Sequence, residues 1–340
     1  MSAVSSIEWT DRTWNPVRGC SVVSPGCINC YAMKFAHRFS GPDKPYEGLT
    51  KQTAAGPQWT GAVRLVEEVL ADPLRWRRPA RVFVNSMSDL FHEAVPDEFI
   101  DHVFTTMALA RQHTFQILTK RPERMRAYCA RRPHGGESQF ISLPGYGSTA
   151  VLWQRPDLQP WPLPNVWLGV SVENQATADA RIPLLLDTPA AVRFVSYEPA
   201  LGPVDFMAIG KTHETDPGFS ALIWTPDDEG PLGEAVLDWV IVGGESGPHA
   251  RPCALEWVES TIAQCRAAGV PVFVKQLGGY VVSEQRSCRD AREMRELLGA
   301  DARWPDHRWL WRAGLTDRKG GDPVEWPEGL RVRQFPEARG

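Results

Sequence analysis

The feature that most restricts the fold is a repeated order: a short β-branched or aromatic run, a few polar residues, then an amphipathic stretch. Six runs follow it, namely "RVFVNS" (81–86), "FQILTK" (115–120), "NVWLGVSV" (165–172), "VRFVSY" (192–197), "DWVIVGG" (238–244) and "PVFVKQ" (271–276). Between them, "PDEFIDHVFTTMALARQ" (96–112) sets Phe99, Val103, Met107 and Ala110 at helical spacing, and "ALEWVESTIAQCRAAG" (254–269) ends on Gly269. Strands that alternate with helices pair in parallel, so an α/β fold is expected: a partial (β/α)6-7 TIM-like barrel, with a seventh strand near "SIEWT".

This order predicts a barrel over residues 1–280. Two Gly- and Pro-rich stretches, 131–164 and 207–235, break the alternation and read as long insertions. Beyond 280, a helical pattern at "RDAREMRELLG" leads into a Trp-rich tail, so 281–340 is expected to be a C-terminal cap whose tryptophans pack rather than stack on bases.

Each run closes on polar residues. They are Asn85, Ser86 and Asp89; Lys120 and Arg121; Ser171, Glu173 and Asn174; Ser196 and Glu198; Glu245 and Ser246; Lys275 and Gln276. In parallel α/β folds the strand C-termini share one face, where sites are built, so these residues are expected to form one rim. Any one of them alone reads equally as a helix cap or turn residue.

"RGCSVVSPGCINCYA" (18–32) carries Cys20, Cys27 and Cys30 as C-x6-C-x2-C, three of seven cysteines. No apolar stretch reaches the roughly 20 residues of a membrane span, and the N-terminus lacks a basic-then-apolar signal, so a cytoplasmic location is expected. In that reducing setting clustered cysteines are metal ligands or catalytic thiols rather than disulfides. Three thiolates on a loop that opens a helix suit iron–sulfur or zinc. Zinc needs a fourth ligand, for which His37 is nearest. An iron–sulfur cube held by three cysteines keeps one iron open for a small molecule.

Charge is unevenly spread. Residues 1–134 hold 18 basic and 13 acidic side chains, against 19 and 28 in the remainder. The basic excess sits in "RWRRPAR" (75–81) and "KRPERMRAYCARR" (120–132). Such runs are commonly solvated helix faces, but near the cysteines they also admit a polyanionic substrate. Salt-sensitive binding lost on neutralising Arg75, Arg77, Arg78 and Arg81 is the corresponding expectation.

Three close cysteines after a first strand, followed by a partial parallel barrel, resemble the radical S-adenosylmethionine (SAM) superfamily. More closely, "TWNPVRGCSVVSPGCINCYA", "LTKRPERM", "VSYEPALGPV", "GGESGPHARP" and "KGGDPVEWPEGLRVRQFP" resemble a phage-associated uncharacterised family found beside three-Cys-motif partner proteins. The resemblance implies a 4Fe-4S cluster on Cys20, Cys27 and Cys30, SAM on the open iron, a reductant for the cluster, a three-Cys-motif partner protein, and modification or repair of a nucleic-acid base. The spacing departs from the superfamily's usual C-x3-C-x2-C, Asn29 stands where an aromatic residue is common, and the usual Gly-Gly-Glu is absent from "VNSMSDLF".

Site roles follow from the rim and the resemblance together. Ser86, Asp89, Glu173 and Glu245 are expected to hold SAM, and Glu198 and Lys275 to manage protons or pair with each other. Lys120 with Arg121 suits a carboxylate or phosphate. Cys253 is expected near the rim as a radical relay or further ligand, and Cys129, Cys265 and Cys288 as inert buried thiols. Two alternatives stand beside this reading: a zinc-stabilised binding module that works through a partner, and a barrel hydrolase using Glu198 and Glu245 as paired carboxylates.

Overall fold

The computed structural model describes residues 5–54, 56–131, 139–143, 147–151, 161–211, 218–223, 236–247, 249–283, 301–302, 311–312 and 315–337. A seven-stranded parallel sheet, its strands in chain order, forms the expected partial TIM-like barrel: β1 (Arg12–Trp14), β2 (Arg81–Val84), β3 (Thr114–Thr119), β4 (Val166–Val172), β5 (Val192–Tyr197), β6 (Trp239–Gly243) and β7 (Val272–Gln276). The α-helices among the described residues are α1 (Tyr31–Arg38), α2 (Asp97–Leu109), α3 (Pro122–Ala130), α4 (Gln175–Leu186) and α5 (Leu255–Ala268). The chain divides into two compact units, one of Met1–Val170, Leu184–Arg193 and Arg339–Gly340, the other of Ser171–Pro183 and Phe194–Ala338.

In the first unit β1, β2, β3 and β4 pair in parallel, with Trp14 opposite Val84 and Val84 opposite Ile117. Every residue of β4 is buried, the signature of a strand covered on both faces. Helix α2 starts after Pro96 with Asp97 and Glu98 in its first turn, where acidic side chains suit the helix dipole. The first strand begins at Arg12, past the expected "SIEWT". The Thr10 amide donates to the Ile7 carbonyl in a turn, and the Thr10 hydroxyl donates to the Arg81 carbonyl, so pairing with β2 starts only afterwards.

A small satellite of structure carries α1. Ala32, Met33 and Ala36 pack with Tyr46, Leu49, Trp59 and Met87, and Cys20 and Cys30 lie half-buried against this cluster. The hairpin Thr50–Thr53 with Gly56–Trp59 and the short pair Val17–Arg18 with Arg64–Leu65 complete it.

In the second unit β5, β6 and β7 pair in parallel around Trp239, whose ring meets Phe194, Phe273 and Phe335. Helix α5 stops at Gly269, whose φ of 69° is the left-handed conformation a C-cap favours. Residues 332–334 run antiparallel along β7, the Val274 amide donating to the Val332 carbonyl at 2.8 Å, so the tail covers the last strand's edge. Trp326, in this tail, is buried as expected of a packing tryptophan. The pattern "RDAREMRELLG", Cys288 and most of both insertions lie outside the described residues.

Candidate metal centre and strand-end polar groups

The cysteine loop leaves β1 and is pinned to the C-terminal end of β2. Asn15 Oδ1 accepts from Ser86 Oγ and the Met87 amide, both at 3.1 Å, while Ser88 Oγ donates to the Val17 carbonyl at 2.7 Å. Asn85 takes the left-handed region, φ 61°, and its Oδ1 accepts from the Val17 amide at 3.1 Å. Gly19 precedes the first cysteine at φ 91°, where a Cβ would stand 2.3 Å from the Ala62 carbonyl oxygen, so only glycine fits. Cys27 closes a 3-10 turn, its amide donating to the Ser24 carbonyl, and Cys30 is the N-cap of α1.

The three thiols affect one another electrostatically. Burial pushes Cys20 up to about 12; Asp89 adds to the rise, Arg121 opposes it, and Cys30 and Cys27 raise it further. Burial also raises Cys30, against which the amides of Met33 and Ala32 at the start of α1 and the charge of Lys120 act in the other direction. Without a cation, therefore, Cys20 and Cys30 are held as thiols rather than thiolates.

Arg121 stands over the loop from the C-terminal end of β3. Its Nη1 lies 4.0 Å from Cys20 Sγ and donates to Asp89 at 3.0 Å; Nη2 donates to Ser21 Oγ at 2.6 Å, and Nε to Glu93 at 2.9 Å. His92 shares a 3.1 Å hydrogen bond with Ser21 Oγ, and burial, then Arg121, lowers its basicity.

Of the candidate SAM-binding residues, Ser86 and Asp89 lie in this first unit. Ser86 braces the loop through Asn15 and accepts the Tyr31 hydroxyl at its carbonyl, 2.8 Å away. Asp89 is buried and accepts from Thr119 Oγ1, the Lys120 and Phe91 amides and Arg121. Its carboxylate thus ties β2's end to β3's end.

In the second unit, Glu173 is fully buried with Arg181 Nη1 at 3.2 Å. Glu245 receives Arg251 through Nη2 at 2.6 Å, Nε at 3.0 Å and the backbone amide at 2.9 Å. Glu198 takes Lys275 Nζ at 3.0 Å and Ser196 Oγ at 3.1 Å, the pairing weighed from the sequence. Cys253 lies in the strand Cys253–Ala254, only 1% exposed, and burial pushes it to about 12; Cys129 and Cys265 are buried likewise.

"GGESG" turns out to be a packing device. The Gly244 amide donates to the Gln276 carbonyl, the Leu277 amide to the Gly320 carbonyl and the Gly279 amide to the Glu245 carbonyl, so three glycine-containing loops stack backbone on backbone. A Cβ on Gly244 would meet the Leu277 oxygen at 2.1 Å.

The basic runs are largely committed to carboxylates. Arg81 opens β2, so "RWRRPAR" sits at the N-terminal ends of the strands, the edge opposite the cysteine loop, and Arg81 pairs with Asp11 at 3.1 Å. Arg75 pairs with Asp72, Arg124 and Arg131 with Asp97, and Arg126 with Asp187.

The donor set suits an iron–sulfur cluster: three thiols share one loop, with Arg121 and Lys120 near to balance thiolate charge. Among the described residues no group of three or more His, Cys, Asp or Glu stands at metal-holding spacing, so cluster loading would have to draw the thiols closer. His37, the fourth zinc ligand considered, shares a 3.0 Å hydrogen bond with Thr50 Oγ1. Among the described residues no helix is long and apolar enough to cross a membrane.

No curated protein matches the chain. Two solved structures with a similar course are a cysteine-to-serine mutant of spore photoproduct lyase, at TM-score 0.37 and 9% identity, and spore photoproduct lyase complexed with dinucleoside spore photoproduct, at 0.36 and 8%. Each alignment covers 97% of this chain and 75% of the other. The family described as "Protein of unknown function (DUF5131)" matches residues 4–305. The chain belongs to that family.

Proposed function

We propose that the chain is a radical SAM-like iron–sulfur enzyme in which Cys20, Cys27 and Cys30 hold a 4Fe-4S cluster and a nucleic-acid base is the substrate. The observation that carries the reading is the placement of three cysteines on one loop at the C-terminal edge of a parallel sheet, with Arg121 at 4.0 Å from Cys20. When bound, the cluster would supply an electron and an open coordination position.

The protein's own residues do the rest. Gly19, Asn15 and Ser88 fix the loop on the strand end, and the apolar cluster under α1 keeps water from its inner side. Arg121 is held by Asp89 and Glu93, so its charge stays beside Cys20 whatever the loop binds. Metal uptake must expel the thiol protons, so loading should release protons and weaken as pH falls.

For the substrate, the support is narrower: the basic excess of the first 134 residues, of which Arg38 at the end of α1 and Lys44 just beyond it are exposed. The test is anaerobic incubation of reduced, reconstituted protein with SAM, with and without single-stranded DNA or RNA. SAM cleavage that rises with nucleic acid is expected; a protein that carries iron yet leaves SAM intact would sink the enzymatic part.

A further inference from the structure

Large apolar side chains are seldom left in water, and here the exposed ones are gathered on one stretch of chain. Among the described residues eight are exposed, and six of them, Val22, Val23, Ile28, Tyr31, Phe35 and Phe39, lie in the cysteine loop, in α1 and at its C-cap. A cluster of this kind marks an interaction site. Its rings are regularly spaced. Tyr31, Phe35 and Phe39 follow one another at steps of four residues, about 6 Å along a helix axis, while Ala32, Met33 and Ala36 on the other side of α1 pack inward. The rings are also held in place. The Tyr31 hydroxyl donates to the Ser86 carbonyl at 2.8 Å, and the Phe35 ring lies 5.0 Å from that of Phe39 and edge-on to Tyr46 at 6.5 Å, centroid to centroid. Rings fixed beforehand lose little freedom when a ligand arrives.

Cations interleave with the rings. Lys34 directly precedes Phe35 and Arg38 directly precedes Phe39, with Lys44 just beyond, and no ion pair engages these three among the described residues. Residues 17–51 contain five Lys and Arg against two acidic residues, Asp43 and Glu47, and the Glu47 carboxylate accepts the Asp43 amide at 3.0 Å. The margin of the ring row is therefore positive, which selects a negative partner.

We propose that this side of α1 seats a single-stranded nucleic acid, its bases stacked on Tyr31, Phe35 and Phe39 and its phosphates beside Lys34, Arg38 and Lys44. The proposal rests on the nucleic-acid part of the reading above and requires nothing to be bound by the cysteines. The repeat carries it: a strand without fixed sequence needs ring faces at regular steps and cations that track its backbone, and one row of helical positions supplies both. Ile28, three residues before Tyr31, extends the row with an apolar side chain of the kind that lies between unstacked bases. Because Tyr31 follows Cys30, a strand laid along the rings passes the cysteine loop.

Two other occupants fit less well. A second copy would bring the same positive margin against itself. An anionic membrane surface would take up the apolar side chains but makes no use of ring faces held in one orientation, and the Tyr31 hydroxyl is turned to Ser86 rather than to headgroups.

The test is fluorescence anisotropy of a labelled oligothymidylate of about 20 nucleotides, titrated with wild type and with two double variants whose folding is checked by circular dichroism. Phe35→Leu/Phe39→Leu keeps the apolar area and removes two rings, so binding should weaken by about tenfold or more. Lys34→Gln/Arg38→Gln should weaken binding at low salt and reduce the slope of log K against log salt by about 1.4, the share of two phosphate contacts on a single strand. The same strand paired with its complement should bind less tightly, because its bases are already stacked. Oligonucleotide bound by both variants as tightly as by wild type would overturn the seat and leave nucleic acid as the substrate. Wild type that binds no strand even at low salt would overturn the seat and the nucleic-acid substrate together, and iron analysis then judges the cluster reading separately. Wild type that ignores the oligonucleotide yet floats with phosphatidylserine vesicles would overturn the seat in favour of a membrane contact.

Discussion

The cysteine loop of the first unit and the strand-end carboxylates of the second both stand as candidates for chemistry from their sequence positions, yet they differ in how charge is balanced. Glu173, Glu198 and Glu245 each have a cation of their own, at 3.2, 3.0 and 2.6 Å. The three thiols share one loop, with burial raising Cys20 and Cys30, and the nearby guanidinium of Arg121 is already bound by Asp89 and Glu93. A group whose charge is already met serves mainly to hold the fold; a group that can ionise only if something cationic arrives is poised to take a ligand. Under the proposed reading, the metal chemistry would fall to the first unit and a bracing role to most of the second unit's rim.

The largest expected effect tests the bracing. Gly244→Ala forces a Cβ to 2.1 Å from the Leu277 carbonyl oxygen, a backbone collision that should destabilise by about 4 kcal/mol or more and prevent accumulation of folded protein. Urea denaturation reports it, and near-wild-type stability would show that the glycine loops are not stacked as described.

Next is Asp89→Ala, which leaves the buried guanidinium of Arg121 without its inner carboxylate and should cost about 3–5 kcal/mol. Its second readout is iron content, which should fall because only Glu93 and Ser21 then hold Arg121 beside Cys20. A variant that keeps full stability and loses only SAM binding would return Asp89 to the cofactor role expected of it from the sequence.

A pH effect follows from His92, His102 and His113, all lowered from 6.5 with burial as the first cause. In the unfolded chain these rings take protons near 6.5, while the folded protein resists them. Stability is therefore complete above that pH and is lost as pH falls below it toward the folded values. Thermal denaturation of metal-free protein at pH 7.5 and 5 should show the drop, and His113→Gln should reduce its slope; equal midpoints would contradict it.

Smallest is Arg81→Gln, which removes a partly exposed pair with Asp11 and should change stability by about 0–1 kcal/mol. Because Arg81 lies at the opposite strand ends from the cysteines, nucleic-acid binding should not change. A large loss of binding would move the substrate surface to that edge.

Much of the fold was legible because period and punctuation are local. The six strands after the first all lie within a residue or two of their runs, and Gly269 ends α5 as its sequence position implies. The first strand was displaced because Thr10 and Asp11 spend their groups on Arg81, a partner 70 or more residues away that no local pattern reveals. That the three cysteines share a loop opening a helix was legible from spacing alone. Arg121's approach to Cys20 was not, since it needs β3 to end beside β1's loop and Asp89 to hold the guanidinium there. "GGESG" announced closeness of backbone, as glycines do, but its neighbours at 277–279 and 320 come from distant segments.

The central claim, that the three thiols are cluster ligands, is tested most directly by iron, zinc and acid-labile sulfide analysis with a visible spectrum on anaerobically purified protein, wild type beside the Cys20→Ala/Cys27→Ala/Cys30→Ala triple variant. The account predicts about four irons per chain with matching sulfide and a broad brown absorption, all lost in a triple variant that stays folded. One zinc per chain and no colour would contradict it and leave the loop a structural metal site.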